Sequence, residues 1–474
     1  MISSVVARQV RETILDYLRT TFDFADSDFE DALFAFLNGD EGLFKGPYLD
    51  VRLPFRKAEP GAYIPLDIRP SFDPYQHQMQ SFQRLFSKDG HQPQHTLVTT
   101  GTGSGKTECF LYPILDHCWR RRDEPGVKAI LLYPMNALAS DQARRLAQTL
   151  WDDERLRGHV SAGLYVGGKG SHGSSDHEHL VDDRNILRGS PPDILLTNYK
   201  MLDFLLLRPE DRRLWQQNGP DTLRYLVLDE LHTYDGAQGS DVACLIRRLK
   251  DRLRLAPGTL CAVGTSATIG SGDQDDAKKA LTEFASKVFD ERFFADSIIT
   301  EDRYTAEQTL GPLEDDRRID LVPTSADVEA LDPERYEGAK SWLDRQKEIW
   351  LGAGAAELDD NELGKRLEQH DFLRQLLKVL DGSLIEVSAV CDALLPRVPE
   401  WEELGEIGRR MALDSFVALI SEARRQDSET GYVEPFLTVQ VQLWLRELRR
   451  LVQRLDDEGE TPSFAWVDGD VPHD

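Results

Sequence analysis

Short apolar runs recur through the middle of the chain: HTLVTT (95–100), KAILLYP (128–134), VSAGLYVG (160–167), DILLTN (193–198), LRYLVLDE (223–230) and LCAVGTSAT (260–268). Their centres carry almost no polar alternation, as expected of strands covered on both faces. Between them, apolar positions at helical spacing predict helices at 106–121, 137–151, 200–207 and 240–254. Repeated strand–helix alternation predicts an α/β domain over residues 71–300, a parallel sheet with helices on both faces.

The flanks read differently. Val6, Val10, Ile14 and Leu18 predict an amphipathic helix, and an acidic stretch follows at 23–31. The Pro- and Gly-rich segment at 46–70 predicts an extended arm packed on the main domain, so residues 1–70 form a prelude. Over residues 301–474 the strand series stops. Leu-rich patterns at Arg335–Leu351, Asn361–Leu380, Trp401–Arg425 and Pro435–Leu455 predict an acidic, mainly helical domain. The last places apolar residues at 441, 445, 448, 452 and 455, with Arg446, Arg449, Arg450 and Arg454 elsewhere. It reads as a core-packed helix with a solvated basic face, or as a docking surface for nucleic acid or a protein partner.

Composition narrows the class. The 474 residues allow two to four domains at about 100–200 residues each. The 40% hydrophobic and 29% charged content is ordinary for a soluble protein. Cysteines at 109, 118, 244, 261 and 391 are scattered with no CxxC. This argues against a disulfide scaffold or a zinc ribbon and fits a reducing cytoplasm. No apolar run reaches membrane-span length, so no membrane partner is expected. The net charge of −27 speaks against nucleic acid, but its distribution weakens the objection. Residues 301–474 hold 40 Asp and Glu against 20 Lys and Arg, leaving residues 1–300 at −7.

Chemistry enters at TGTGSGKT (100–107), placed between a strand and a helix. The backbone of Thr102, Gly103, Ser104 and Gly105 can curl so that N–H groups face phosphate oxygens, with the helix N-terminus behind them. Lys106 would reach the β- and γ-phosphates of ATP, and Thr107 would ligate Mg²⁺. Thr100 stands where the strict pattern has glycine. The run at 223–230 ends in Asp229 and Glu230, at the carboxyl end of a buried strand, where ligand crevices of parallel sheets lie. Asp229 suits Mg²⁺, and Glu230 suits a general base for the attacking water. Two further signals are weak. HGSSDHEH (172–179) reads as a mobile surface loop or, less simply, a metal site, and Cys109 reads as a small buried hydrophobe.

Together these residues resemble the superfamily 2 helicases and translocases. Motif I is similar to TGTGSGKT, motif Ia to YPMNALASDQ (133–142), a GG element to Val166-Gly167-Gly168, and a backbone-gripping motif to LLTNYKML (195–202). Motif II is similar to DELH (229–232), motif III to TSAT (265–268), and an adenine-reading Q element to YQHQ (75–78). PMNALA, TNYKMLD, DELHTYDGAQGSDVA, the arm GPYLDVRLPF (46–55) and VQLWLRELRRLV (441–452) resemble large bacterial DEAD/DEAH helicases with a DUF1998-type C-terminal region. That group includes repair helicases and helicase subunits of anti-phage systems of the DISARM and Druantia kinds.

The resemblance implies a RecA-like fold, with Gln78 reading the base and His232, Ser266 and Thr268 coupling nucleotide state to strand grip. Pro134, Asn136, Gly167, Gly168, Thr197 and Asn198 would touch the backbone of one strand, most simply single-stranded DNA. It also implies a second RecA-like domain carrying an arginine finger. No GRxGR-like motif follows residue 300, where RR (409–410) and ARRQ (423–426) sit in helical patterns. The expectation is an N-terminal piece of a longer protein, or else a second polypeptide supplying that half, with weak ATP binding and slow hydrolysis by this chain alone. The alternative function is a nucleotide-gated scaffold that assembles a complex without unwinding. An inactive pseudo-motor fits poorly, since Lys106, Thr107, Asp229 and Glu230 are all present.

Overall fold

The computed structural model describes residues 3–22, 24, 26–39, 42–101, 103–168, 170, 172–266, 274–426, 431, 433–454 and 462–467. The chain divides into two compact units, Phe55–Arg303 and Met1–Pro54 together with Tyr304–Asp474. The latter opens with α1 (Ser3–Thr21), α2 (Ser27–Asn38) and β1 (Phe44–Arg52). The start of α2 lies in the acidic stretch: Asp26 caps it, its carboxylate accepting from the Asp28 and Phe29 N–H groups.

The Phe55–Arg303 unit is a doubly wound α/β domain. In order it contains α3 (Gln76–Leu85), β2 (Thr96–Thr99), α4 (Lys106–Arg120), β3 (Ala129–Tyr133), α5 (Asn136–Asp152), β4 (Ala162–Tyr165) and α6 (Arg184–Gly189). There follow β5 (Ile194–Asn198), α7 (Tyr199–Leu207), β6 (Tyr225–Leu228), α8 (Gly236–Leu253), β7 (Cys261–Ser266), α9 (Gln274–Phe289) and β8 (Ile298–Thr300). The seven strands run in the order β4-β5-β3-β6-β7-β2-β8, every pairing parallel.

The apolar runs are explained by two cores. Ile130, Leu132, Leu195, Leu226 and Leu228 point to one face, against Leu205 of α7 and Ile246 and Leu249 of α8. Their neighbours Ala129, Leu131, Tyr133, Leu196, Tyr225 and Val227 point to the other, against Ile114 of α4 and Leu146 of α5. Both faces being covered, the period-two signal of a half-exposed strand disappears.

The other unit continues with α10 (Ala306–Leu310), α11 (Val328–Leu331), α12 (Ala339–Leu351), α13 (Asp360–Glu368), α14 (Asp371–Leu380), β9 (Ile385–Glu386), α15 (Val387–Leu394) and α16 (Gly405–Glu422). Trp350 anchors its core, with ring centroids 4.8 Å from Phe372 and 4.5 Å from Phe416. The pattern expected as one helix over 361–380 breaks at His370, whose ring accepts from the Phe372 N–H and so caps α14. No described helix of either unit is long and apolar enough to cross a membrane.

Two expectations are corrected. The helix expected over Pro435–Leu455 is instead β12 (Thr438–Leu445), a single 3-10 turn and β13 (Leu451–Arg454), preceded by β10 (Arg424–Gln426) and β11 (Val433–Pro435) and followed by β14 (Ser463–Trp466). The arm expected to pack on the α/β domain is in its first part strand β1. It lies between β12 and β9, antiparallel to both, with Tyr48 opposite Gln442 and Glu386. The physical reason is shared: TVQVQLWL alternates as well as it spirals, and β1 supplies a hydrogen-bonding edge that a helix could not use.

Candidate functional site

Because all seven strands are parallel, their carboxyl ends share one edge of the sheet. The order then sorts the motifs. The ends of β6, β7, β2 and β8 adjoin one another and carry the acidic pair, TSAT and the phosphate loop. The ends of β4, β5 and β3 carry the GG element, Thr197-Asn198 and Pro134-Asn136.

The phosphate loop joins β2 to α4. Gly103 (φ 80°) and Gly105 (φ 73°) adopt left-handed backbone, which side-chain-bearing residues reach only with strain. A methyl on Gly105 would also lie 2.2 Å from Gln78 Nε2. The loop is held from several directions. Gln78 Nε2 donates to the Gly105 carbonyl at 3.2 Å, while its Oε1 accepts from the Tyr75 N–H at 2.9 Å. His77 Nε2 lies 2.8 Å from the Ser104 carbonyl, and burial lowers the pKa of this imidazole against the opposing pull of that carbonyl. The Thr100 and Ser104 hydroxyls meet at 2.6 Å, giving the non-glycine first position a use. From the end of β8, Glu301 accepts from the Gly101 N–H at 2.8 Å and from Arg303 Nε at 2.9 Å.

The acidic pair follows β6. The Asp229 N–H donates to the Leu132 carbonyl at 2.9 Å. Glu230 takes a left-handed turn (φ 50°). Thr265 joins the two residues: its hydroxyl donates to Asp229 Oδ1 and accepts from the Glu230 N–H at 3.1 Å. Burial raises the Asp229 pKa, the Thr265 hydrogen bond opposes it, Glu230 adds to it and Lys106 offsets it. Lys106 Nζ stands 3.7 Å from Glu230 Oε1 and 3.4 Å from the Ser266 carbonyl. His232 Nδ1 lies 3.2 Å from Ser266 Oγ and 3.4 Å from Glu230 Oε2. Thr107 lines with Tyr133 a small cavity of about 20 Å³.

These donors fit a magnesium ion. A buried carboxylate beside a hydroxyl supplies hard oxygen ligands, and a cation there would relieve the cost of ionising Asp229. Among the described residues no group of three His, Cys, Asp or Glu is placed to hold a metal by itself.

On the other half of the edge, Asn198 Nδ2 donates to Asn136 Oδ1 at 2.6 Å, and a side chain at Gly167 would meet Asn136 Nδ2 at 3.3 Å. Arg184 fixes the GG turn by donating to the Val166 carbonyl at 3.0 Å and the Gly168 carbonyl at 2.7 Å. Asn136, Gly167 and Gly168 are exposed and Pro134 half-buried. Thr197 departs from this set: its side chain is buried and its hydroxyl donates to the Tyr165 carbonyl at 2.5 Å, tying β5 to β4 instead of facing a ligand. Thr102 and Thr268 lie outside the described residues. In the 172–179 loop, His172 stacks on His179 at 4.2 Å and pairs with Asp182 at 3.2 Å, while His179 pairs with Asp176.

Sequence reasoning missed His77, Thr265, Glu301 and Arg184. His77 and Thr265 were inside quoted motifs, YQHQ and TSAT; Glu301 and Arg184 carried no local signal.

Residues 75–277 match the DEAD/DEAH box helicase family. The Druantia protein DruE of Escherichia coli is 26% identical over 375 residues, 56% of this chain and 20% of the relative. The uncharacterized ATP-dependent helicase YprA of Bacillus subtilis is 32% identical over 198 residues, 42% of this chain and 23% of the relative. A crystal structure of the DUF1998 helicase MrfA is similar at 26% identity and a TM-score of 0.36, covering 55% of this chain and 34% of that one. The matched part is thus about a quarter or less of the length of these curated relatives. Motif order, strand-end geometry and the family match agree: residues 75–277 form a DEAD/DEAH box helicase domain.

Proposed function

We propose that the Phe55–Arg303 unit binds and hydrolyses Mg-ATP to drive a motor on nucleic acid, with single-stranded DNA as the first substrate to test. The observation that carries this is the convergence of Lys106, Asp229, Glu230, Thr265 and Ser266 at one edge of a parallel sheet, beside a glycine loop. The loop N–H groups from Gly103 to Thr107, with Thr102, cradle the phosphates, and Lys106 neutralises the outer ones. Its two present contacts are long enough for the ammonium to turn toward them. Thr107 and Asp229 hold the magnesium ion, which supplies charge neutralisation on the phosphate oxygens. Glu230 orients the attacking water and takes its proton. Gln78, expected as the adenine reader, is buried with both ends of its amide engaged by the Gly105 carbonyl and the Tyr75 N–H, so its part is to hold the loop in place. His232 and Ser266, in contact, couple the state of the phosphate site to strand grip.

Pro134, Asn136, Gly167, Gly168 and Asn198 hold a strand by its backbone, which positions it without reading sequence. A second RecA-like domain, in cis or in trans, completes the motor; among the described residues of 304–474 there is no parallel sheet that could be one. The cytoplasm is the matching compartment, and anti-phage defence or DNA repair the matching role, supported by the likeness to a Druantia protein.

The experiment is Glu230→Gln in the presence of single-stranded DNA. Hydrolysis falls by about 100-fold or more while Mg-ATP binding persists. Unchanged hydrolysis removes Glu230 from the role of base. Nucleotide-dependent capture of a protein partner without strand displacement would favour the scaffold.

A further inference from the structure

The strand that replaces the expected C-terminal helix creates a surface of its own. On β12, Val439, Val441 and Leu443 pack inward against the cores of their unit. Trp444, on the opposite face, is 55% exposed, with its ring 6.2 Å from that of Tyr48 on β1. Lys45 is its cross-strand partner. A cavity of about 320 Å³ opens here, lined by Lys45, Trp444, Arg446, Glu447, Arg450 and Trp466 together with the exposed Leu445. The Arg446 guanidinium lies 5.4 Å from the centre of the Trp466 ring, and its Nε is buried with no hydrogen-bond partner among the described residues.

Charge sets the patch apart. Residues 301–474 hold twice as many acidic as basic side chains, yet 438–454 holds four arginines against one carboxylate, Glu447. Arg449 and Arg450 already engage that carboxylate, at 2.6 and 3.4 Å, and hold its pKa below the ordinary value. Lys45 and Arg446 add two further cations. Lys45, Arg446 and Arg450 lining one cavity with an exposed flat aromatic ring match one ligand chemistry: bases that stack, joined by phosphates that pair with cations. An acidic protein surface would satisfy the charges but leave the Trp444 face without a planar partner.

We infer that this patch is a second binding site for single-stranded nucleic acid, a base stacking on Trp444 and the flanking phosphates lying against Lys45, Arg446 and Arg450. The inference rests on the nucleic-acid reading of the helicase domain and adds to it a contact outside that domain, on the unit whose overall charge opposes one.

The test is fluorescence anisotropy of a fluorescein-labelled oligothymidylate titrated with the whole chain at several salt concentrations. Trp444 and the Arg450 side chain are both more than half exposed, so Trp444→Ala and Arg450→Gln keep the fold, checked by circular dichroism. Trp444→Ala weakens binding by about 5-fold to 100-fold, the range for loss of one stacked base, and Trp444→Phe recovers most of it. Arg450→Gln lowers the slope of log affinity against log salt by about one. Basal Mg-ATP hydrolysis is unchanged in both. Wild-type affinity in both variants, with Asn136→Ala alone weakening binding, overturns the patch, leaves it to an acidic protein partner, and spares the motor reading. No binding by the wild-type chain overturns both.

Discussion

Asp229 illustrates how a candidate functional residue costs the fold. Its carboxyl is mostly buried, and burial raises its pKa, so the folded chain holds this proton more tightly than the unfolded chain does. Stability from that proton is present at acid pH and is lost as pH rises through the folded pKa. At neutral pH the ionised group is therefore destabilising. Asp229→Asn keeps an acceptor for the Thr265 hydroxyl and removes the charge. The melting temperature of the variant exceeds that of the wild type at pH 7, and the gap closes toward acid pH; a lower melting temperature at pH 7 would contradict the account. Lys106, Thr107, Asp229 and Glu230 were legible because the spacing of glycines, lysine and carboxylates is itself the signal. Their supports were not. His77 meets Ser104 across 27 residues, Thr265 meets Glu230 across 35, and Glu301 meets Gly101 across 200. Such partners are chosen by the fold and leave no mark in a local window.

At the scale of elements, the phosphate loop is clamped between α3 and the end of β8. His77 and Gln78 hold its far end at Ser104 and Gly105, and Glu301 holds its entry at Gly101. Glu301 is in turn fixed by Arg303, whose guanidinium lies 3.8 Å from the centre of the Phe55 ring. Removing the carboxylate leaves the Gly101 N–H without that acceptor and frees the loop entry. Glu301→Ala raises the KM for ATP by about 10-fold, the cost of one hydrogen bond to a charged group, with a smaller effect on kcat. Steady-state kinetics checks this, and an unchanged KM would deny Glu301 a part in shaping the loop. The central strands were legible because parallel strands buried on both faces are apolar throughout. β8 was missed because three residues at a sheet edge make no pattern, and α9 because its buried residues, chiefly Ala285, Val288 and Phe289, lie in a polar segment. Residues 438–445 satisfied both periodicities, and the partner strand β1, almost 400 residues earlier, decided between them.

At the scale of the molecule, each unit buries one strongly shifted histidine among the described residues. Burial pulls His117 in the α/β unit to about 3 and His370 in the other to about 4. Both lie below the ordinary 6.5, so the unfolded chain takes up these protons first. The stability they permit is complete above pH 6.5 and is lost as pH falls toward the folded values, at about 1.4 kcal/mol per pH unit per group. The melting temperature drops between pH 7 and pH 5, and His370→Gln, which retains a donor for the Trp350 carbonyl, drops less steeply. Equal slopes for variant and wild type would contradict this.

All of this serves one claim, that the edge formed by β6, β7 and β2 is a Mg-ATP site. Isothermal titration of Mg-ATP into the chain and into its Lys106→Ala variant tests it most directly. The account predicts heat of binding to the wild type, loss of at least about 10-fold in affinity for the variant, and dependence of both on magnesium. Equal affinity in the two proteins, or binding indifferent to magnesium, would contradict it.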